Sequence, residues 1–215
     1  MIVLALDTCL NACSAAVVRD GQTLAARFEP MSRGHQERLA LMVQETMAEA
    51  GLAFSAIDRI GVTVGPGSFT GLRVGLAFAK GLALALGRPL IGVGSLEALG
   101  ADTTGLAVAI ADARRDQAYW QGFSGGVPMT PPTASAVVDI VDWLTEQGGP
   151  ASLTGPGVSL ISSQLPNLKA IPRVGPSPET IARLAAAASP PLAPPRPIYL
   201  RTPDAKLPGG LEPVW

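Results

Sequence analysis

The chain has 215 residues, a length that suits one large domain or two lobes of about 100 residues each. Apolar residues make up 47% of the sequence and charged residues only 15%, a balance that excludes a largely disordered chain. The 16 lysines and arginines nearly cancel the 17 aspartates and glutamates, so no global positive charge is available to hold a nucleic acid by electrostatics alone.

The sequence predicts a cytoplasmic protein without a membrane segment. Cys9 and Cys13 do not form a C-x-x-C pair, and a chain of this size needs no disulfide framework, which favours a reducing compartment. The apolar residues 1–6 have no basic segment before them and meet Asp7 at once, unlike a secretion signal. The longest apolar stretch, residues 74–87, is too short and is interrupted by a lysine.

The first hundred residues predict a mixed α/β lobe. Short apolar runs at residues 2–7, 14–19 and 24–28 predict a three-stranded meander, with Asp20-Gly21 as a hairpin turn because glycine accepts a positive φ. Apolar residues then recur at helical spacing and predict an amphipathic helix. The elements that follow the meander are a helix at 36–50, a strand at 59–64, a long helix capped by Ser68 or Thr70 and ending near Leu86, a strand at 90–93, and a helix capped by Ser95.

The second part of the chain is richer in proline and gives weaker patterns. A strand at 106–111 ends at Asp112, and residues 117–123 are its expected hairpin partner. Helices are predicted at 137–146 and 178–188, the latter with Ser177 as cap. The proline-rich connector at 190–197 cannot be helical, and the last dozen residues suit an extended tail. We therefore expect one lobe at 1–100 and, at 101–215, a shorter lobe together with the proline-rich connector and the extended tail.

Metal and nucleophilic chemistry lack the residues that they need. His35 is the only histidine, so neither a site with several convergent metal ligands nor most Ser-His-Asp or Cys-His arrangements can be built. We expect no catalytic residue, no metal and no cofactor on this chain.

A glycine-rich turn is the most informative stretch. Gly65, Gly67 and Gly71 lie between a predicted strand and a helix start, where free backbone N–H groups can bind phosphate. Their spacing fits neither a Walker loop nor G-x-G-x-x-G. The other interpretation is a tight turn that lets the helix pack against its strand, with Gly67 at a position where a Cβ would obstruct that approach. Both interpretations stay open.

Asp7 and Asp112 end the first strand of each lobe. Actin-like ATPases and sugar kinases hold a phosphate-side aspartate at such a position, with glycines beside it. Neither carboxyl has those glycines here. We therefore expect turn-forming carboxylates, and a chain that does not bind ATP tightly.

Five blocks of sequence together resemble the TsaB (YeaZ) family of bacterial threonylcarbamoyladenosine-biosynthesis proteins. They follow one another in family order across almost the whole chain. The blocks are LALDT from residue 4, RGHQERL from residue 33, GPGSFTGLR from residue 65, which ends at Arg73, IADARR from residue 110 and PIYLR from residue 197.

The resemblance implies an actin-like (ASKHA, ribonuclease H-like) α/β fold of two lobes, each a mixed sheet flanked by helices. It implies a non-catalytic scaffold that pairs with the catalytic paralogue TsaD and, through the complex, with the ATPase TsaE. That complex places threonylcarbamoyl on N6 of the adenosine next to the tRNA anticodon (t6A), so that tRNA is contacted only indirectly, and ATP and metal belong to the partners. A homodimer of the free chain stays open. The alternatives are a small actin-like kinase or ATPase, which would need the missing glycine loops, and a peptidase.

The two long helices of the first lobe carry more apolar surface than one small lobe obviously requires. Their shared side is the expected partner surface, while the alternative is that both stripes face their own sheet. The expected contact residues are Leu39, Met42, Val43 and Met47 of the first helix and Leu72, Leu76 and Ala79 of the second.

Overall fold

The first sheet is built from a meander and two later strands. A computed structural model describes residues 1–165 and 167–201. The meander is antiparallel, the two later strands run parallel to β1, and the hairpin residues Asp20 and Gly21 both have positive φ, which confirms the predicted turn. The sheet order is β3-β2-β1-β4-β5, formed by β1 (Ile2–Asp7), β2 (Ala12–Arg19), β3 (Gln22–Pro30), β4 (Arg59–Thr63) and β5 (Leu90–Val93).

The second sheet repeats this plan. Its central strand is β6, with an antiparallel hairpin partner on one side and two parallel strands on the other. The order is β11-β10-β6-β7-β8 with β9 also on β7, formed by β6 (Leu106–Arg114), β7 (Gln117–Ser124), β8 (Val127–Pro128), β9 (Thr133–Ala136), β10 (Ala151–Gly155) and β11 (Lys169–Pro172). The α/β class with two mixed sheets is confirmed, although the sequence patterns did not predict β8 to β11.

Five helices cover the two sheets, close to the predicted ranges. They are α1 (His35–Glu49), α2 (Phe69–Leu86), α3 (Ser95–Gly100), α4 (Val137–Gln147) and α5 (Pro178–Ala187). Ser68 caps α2 and Ser177 caps α5, as predicted. The expected Ser95 cap is wrong. The N-cap of α3 is Gly94, whose N–H donates to the Glu97 carboxylate at 3.3 Å, while the Ser95 hydroxyl donates to the Pro66 carbonyl at 2.5 Å.

The lobe boundary expected at residue 100 is crossed in both directions. Helix α3 packs on the second sheet with Leu96 and Leu99, whereas α5, from the second half of the chain, packs on the first sheet. Helices α1 and α2 cover one face of that sheet and α5 covers the other, where Ile181 and Ala185 meet Val3. The first lobe therefore includes residues from both ends of the described chain.

Two residues of β4 fix α5 in this place. Gly61 lies so close to the helix that a Cβ there would come within 2.7 Å of the Ala185 Cβ. The Arg59 guanidinium donates to the carbonyls of Ala185 at 2.7 Å, Ala186 at 3.1 Å and Ala188 at 2.6 Å. These carbonyls end the helix without intrahelical donors, so the arginine supplies both hydrogen bonds and a favourable charge.

The structure corrects the expected partner surface. All seven proposed contact residues are buried inside the chain itself, six of them in the core between α1, α2 and the first sheet and Leu72 in the core shared with the second lobe. The stripe of α1 faces its own sheet because the opposite side of that helix carries the polar residues, among them Gln36, Glu37, Gln44 and Glu49.

Arg38 anchors α1 to the edge strand β3. Its guanidinium donates to both oxygens of Glu29, at 2.7 and 2.5 Å, and also to Glu45. The arginine lowers the pKa of both carboxyl groups. Arg38 belongs to the RGHQERL block, and its ion pairs show that this residue of the block stabilises the fold rather than taking part in chemistry.

Burial of the α1 stripe leads to the first prediction. Met42→Glu places an unpaired charge in the core and should lower the free energy of unfolding by at least about 3 kcal/mol. Leu41→Glu, at a neighbouring position that is 52% exposed, should change it by less than about 0.5 kcal/mol. Thermal unfolding followed by circular dichroism compares the two variants. Equal melting temperatures would contradict the burial of Met42.

Candidate functional site

An open cleft of about 550 Å³ lies between the two lobes. The first lobe contributes the turn after β1 and the start of α2, and the second contributes the end of β6. A third wall is the segment 198–201 at the end of the described chain. The lining residues are Cys9, Leu10, Asn11, Gly67, Ser68, Phe69, Thr70, Ala111, Asp112, Ala113, Arg114, Tyr119, Pro156, Ile198, Tyr199, Leu200 and Arg201.

Asp7 is buried beneath the cleft and is not among the residues that line it. Its Oδ1 accepts hydrogen bonds from the Cys9 N–H at 3.0 Å and from the Thr63 hydroxyl at 2.5 Å, while its Oδ2 has no partner among the described residues. Burial raises the pKa of this carboxyl from 3.8 to about 6, although the two hydrogen bonds act in the opposite direction. The geometry is that of a turn-forming carboxylate.

Asp112 makes the same turn in the second lobe. Its Oδ1 accepts the Arg114 N–H at 2.6 Å, two residues further on, as Asp7 does with Cys9. Asp112 differs from Asp7 because it is exposed and lines the cleft. The two strand-end aspartates are thus equivalent in the fold, and each fixes the turn that follows its strand.

The glycine turn packs against backbone. A Cβ at Gly67 would lie 2.3 Å from the Cys9 carbonyl oxygen, and a Cβ at Gly71 would lie 2.0 Å from that of Thr8. Two backbone donors near the start of α2 are also in use, since the Ser68 N–H donates to the Cys9 carbonyl at 2.7 Å and the Gly71 N–H to the Ser68 hydroxyl at 3.2 Å. This contact favours the close-packing interpretation of the motif over a phosphate cradle.

Sequence patterns did not predict the cluster at the mouth of the cleft. The Tyr199 ring lies 5.3 Å from that of Phe69, and Arg73 stacks over Phe69 with its Cζ 3.7 Å from the ring centroid. The Ile198 N–H donates to the Val64 carbonyl at 2.7 Å and holds the segment in place, while Arg201 donates to the carbonyl of Ala113 in the other lobe. The PIYLR block therefore links the lobes. The last dozen residues, predicted to form an extended tail, lie outside the described residues.

The cysteines are packing residues. Both are free and buried, and burial raises the pKa of each thiol, to about 12 for Cys13 and well above the usual value for Cys9. Such thiols stay protonated and unreactive. In the part of the chain that the structure describes, no group of three His, Cys, Asp or Glu side chains could hold a metal ion.

Known proteins similar to this chain decide its family. The family model described as tRNA N6-adenosine threonylcarbamoyltransferase, TsaD, matches residues 29–152. An uncharacterized protein of Mycobacterium tuberculosis is 39% identical over 95% of this chain and 93% of its own length. The TsaB protein of Escherichia coli, a tRNA threonylcarbamoyladenosine biosynthesis protein, is 40% identical over 56% of this chain and 54% of its own. The chain belongs to the TsaB (YeaZ) family.

Solved structures agree with this assignment. A Pseudomonas aeruginosa protein described as similar to the peptidase YeaZ superimposes with a TM-score of 0.79 at 29% identity, covering 93% of this chain and 99% of that one. A Clostridium difficile dehydratase activator solved with ADPNP reaches a TM-score of 0.51 at 12% identity over 86% of this chain and 93% of that one. The latter shows the fold alone, and the fold is the actin-like one that the resemblance implied.

The glycine contact leads to the second prediction. Gly71→Ala pushes a methyl group into the Thr8 carbonyl and should lower the free energy of unfolding by about 2 kcal/mol or more. Gly81→Ala is the matched control in the same helix, because nothing lies within 4 Å of a Cβ there. It should raise stability by about 0.5–1 kcal/mol through helix propensity. Chemical denaturation measures both changes, and a neutral Gly71→Ala would refute the packing role of the motif.

The buried carboxyl leads to the third prediction. Because the pKa of Asp7 is higher in the folded chain than its usual 3.8, the folded state binds more protons than the unfolded state between about pH 4 and pH 6. The protonated Asp7 carboxyl stabilises the fold fully below the unfolded pKa of 3.8, and this stabilisation is lost as pH rises through the folded pKa. The free energy of unfolding should fall by an amount on the order of 2–3 kcal/mol.

Denaturation midpoints of the wild type and Asp7→Asn, measured at several pH values, test this difference. Asp7→Asn should remove the fall in stability, since an amide does not ionise. Asp112→Asn, in the equivalent but exposed turn, is the control and should follow the wild type. A wild type whose stability relative to Asp7→Asn rises with pH over this range would contradict the prediction.

Proposed function

We propose that this chain takes part in t6A modification of tRNA as a non-catalytic cytoplasmic subunit, acting by binding its catalytic paralogue TsaD. The proposal starts from the family and from the name of the Escherichia coli relative. It is supported by a site in which Asp7 is buried and does not line the cleft, and in which Gly67 and Gly71 pack against the backbone of Cys9 and Thr8. Association with the ATPase TsaE then follows through the complex.

The single observation that carries the partner role is the outer face of α2. Only 33% of the 18 residues of this apolar helix are buried. Leu84 is 85% exposed, and the residues around it on the same face are Ala77, Gly81 and Ala85. Small residues beside one protruding leucine allow another helix to approach closely. Lys80 and Arg88 flank this face and favour a partner surface with acidic residues at its rim.

A membrane is the other environment that α2 could suit. Its length and composition would allow a crossing. The same helix, however, packs on β4 through Leu76 and Ala79 and on the turn after β1 through its glycines, so it cannot leave the core without unfolding the lobe. An exposed apolar face on a helix that also packs in the core fits a protein partner better than it fits a membrane.

The partner surface leads to the fourth prediction. Leu84→Arg should leave the chain folded, because the side chain is exposed, and should weaken binding to the co-expressed TsaD paralogue by about 2 kcal/mol or more. Affinity co-purification and calorimetry measure the binding, and t6A content of cellular tRNA measures the consequence.

Leu192→Arg is the matched control. Leu192 is a fully exposed leucine in the proline-rich connector, away from α2. The Leu192→Arg variant should leave co-purification with the paralogue and the t6A content of tRNA unchanged. If Leu84→Arg behaved like this control, the outer face of α2 would not be the partner surface.

A further inference from the structure

Three side chains at the mouth of the cleft, Phe69, Arg73 and Tyr199, form a rigid exposed group that we call the rim cluster. The two rings lie 5.3 Å apart at an interplanar angle of 37°, Arg73 stacks on Phe69, and its Nε donates to the Tyr199 hydroxyl at 3.4 Å. Phe69 is 37% and Tyr199 is 44% exposed. Aromatic side chains that are already ordered and still open to solvent lose little entropy when a flat ligand stacks on them.

Core packing does not account for the rim cluster. Neither ring belongs to any of the hydrophobic cores of the described residues, whereas the neighbouring Ile198 does pack against the first of them. The hydrogen bond from the Ile198 N–H to Val64 already fixes the chain at this point. The two rings are therefore exposed apolar surface on a segment that is anchored without them.

The charge of the cleft differs from that of the whole chain. The chain carries a formal net charge of −1, yet the charged side chains that line the cleft are Arg114, Arg201 and Asp112, and Arg73 lies at the rim. Arg114 is exposed at the tip of the β6–β7 hairpin, where Arg114, Arg115 and Asp116 have φ values of 63°, 54° and 57°. The Asp112 carboxylate holds this tip by accepting the Arg114 N–H. Arginines thus stand on both sides of the opening.

This combination points to a nucleic acid rather than to a free nucleotide. A nucleoside triphosphate needs a glycine cradle for its phosphates, and here Gly67 and Gly71 instead lie against the carbonyls of Cys9 and Thr8. A single strand instead needs aromatic faces for its bases and dispersed cations for its phosphates. We propose that the rim cluster and Arg114 bind single-stranded RNA directly, with a base stacked on Tyr199 and Phe69. The choice of RNA over DNA rests on the proposed function.

Binding of a fluorescent anticodon stem–loop RNA to the full chain, followed by anisotropy at low salt, tests the proposal. Tyr199→Ala should weaken binding about tenfold, whereas Tyr199→Phe, which keeps the ring, should stay within about twofold of the wild type. Arg114→Gln should lower the slope of log Kd against log salt by about one. Arg19→Gln, at the far end of β2, is the control and should leave the slope unchanged.

Four results would overturn the proposal: no RNA binding by the wild type, equal binding by Tyr199→Ala, an equal effect of Arg19→Gln, or displacement of the RNA by equimolar ATP. If Tyr199→Ala loses its folded circular dichroism signal, Arg73→Gln and Arg114→Gln decide in its place. Leu84→Arg separates this proposal from the partner role. It should bind RNA like the wild type even though it no longer binds the paralogue, so either proposal can fail alone.

Discussion

The first turn of α2 lies directly against the backbone of Thr8 and Cys9, and most of the molecule's surface chemistry depends on that contact. Three glycines, at positions 67, 71 and 75, leave room for it. Hydrogen bonds lock it, since Thr8 donates through its hydroxyl to the Gly71 carbonyl at 2.7 Å and Ser68 donates to Cys9. The approach uses the Ser68 N–H, and it fixes the rotation of α2 about its axis.

That rotation determines which residues of α2 are available to other molecules. Leu72, Leu76 and Ala79 turn inward, so Ala77, Leu84 and their neighbours must turn outward. The same rotation brings Phe69 and Arg73 to the edge of the cleft, where Tyr199 meets them. One backbone contact thus links two surfaces with different chemistry: an apolar helix face and an aromatic, basic rim.

The sequence predicted most helices and several strands, but it did not predict which elements pack against one another. Helical spacing identified α1, α2 and α5 because that spacing depends only on residues close in the chain. It could not tell whether Met42 faces a sheet or another protein, since both environments select the same apolar side chains. The polar residues Gln36, Glu37, Gln44 and Glu49 carried the missing signal, because they mark the solvent side of α1. Local sequence patterns could not predict that α5 packs on the first sheet or that Tyr199 contacts Phe69, because these contacts join residues more than a hundred positions apart.

The placement of α5 also determines the order in which the protein can be completed during synthesis. In the described residues, the face of the first sheet that carries Val3 and Ala5 is covered mainly by a helix that begins at Pro178, and the Arg59 hydrogen bonds to its last turn form later still. A ribosome has therefore made nearly the whole chain before the first strand is buried on both sides. Contacts this distant in sequence slow folding and leave apolar strands exposed in the meantime. The nascent chain therefore exposes apolar strand surface that the finished protein buries.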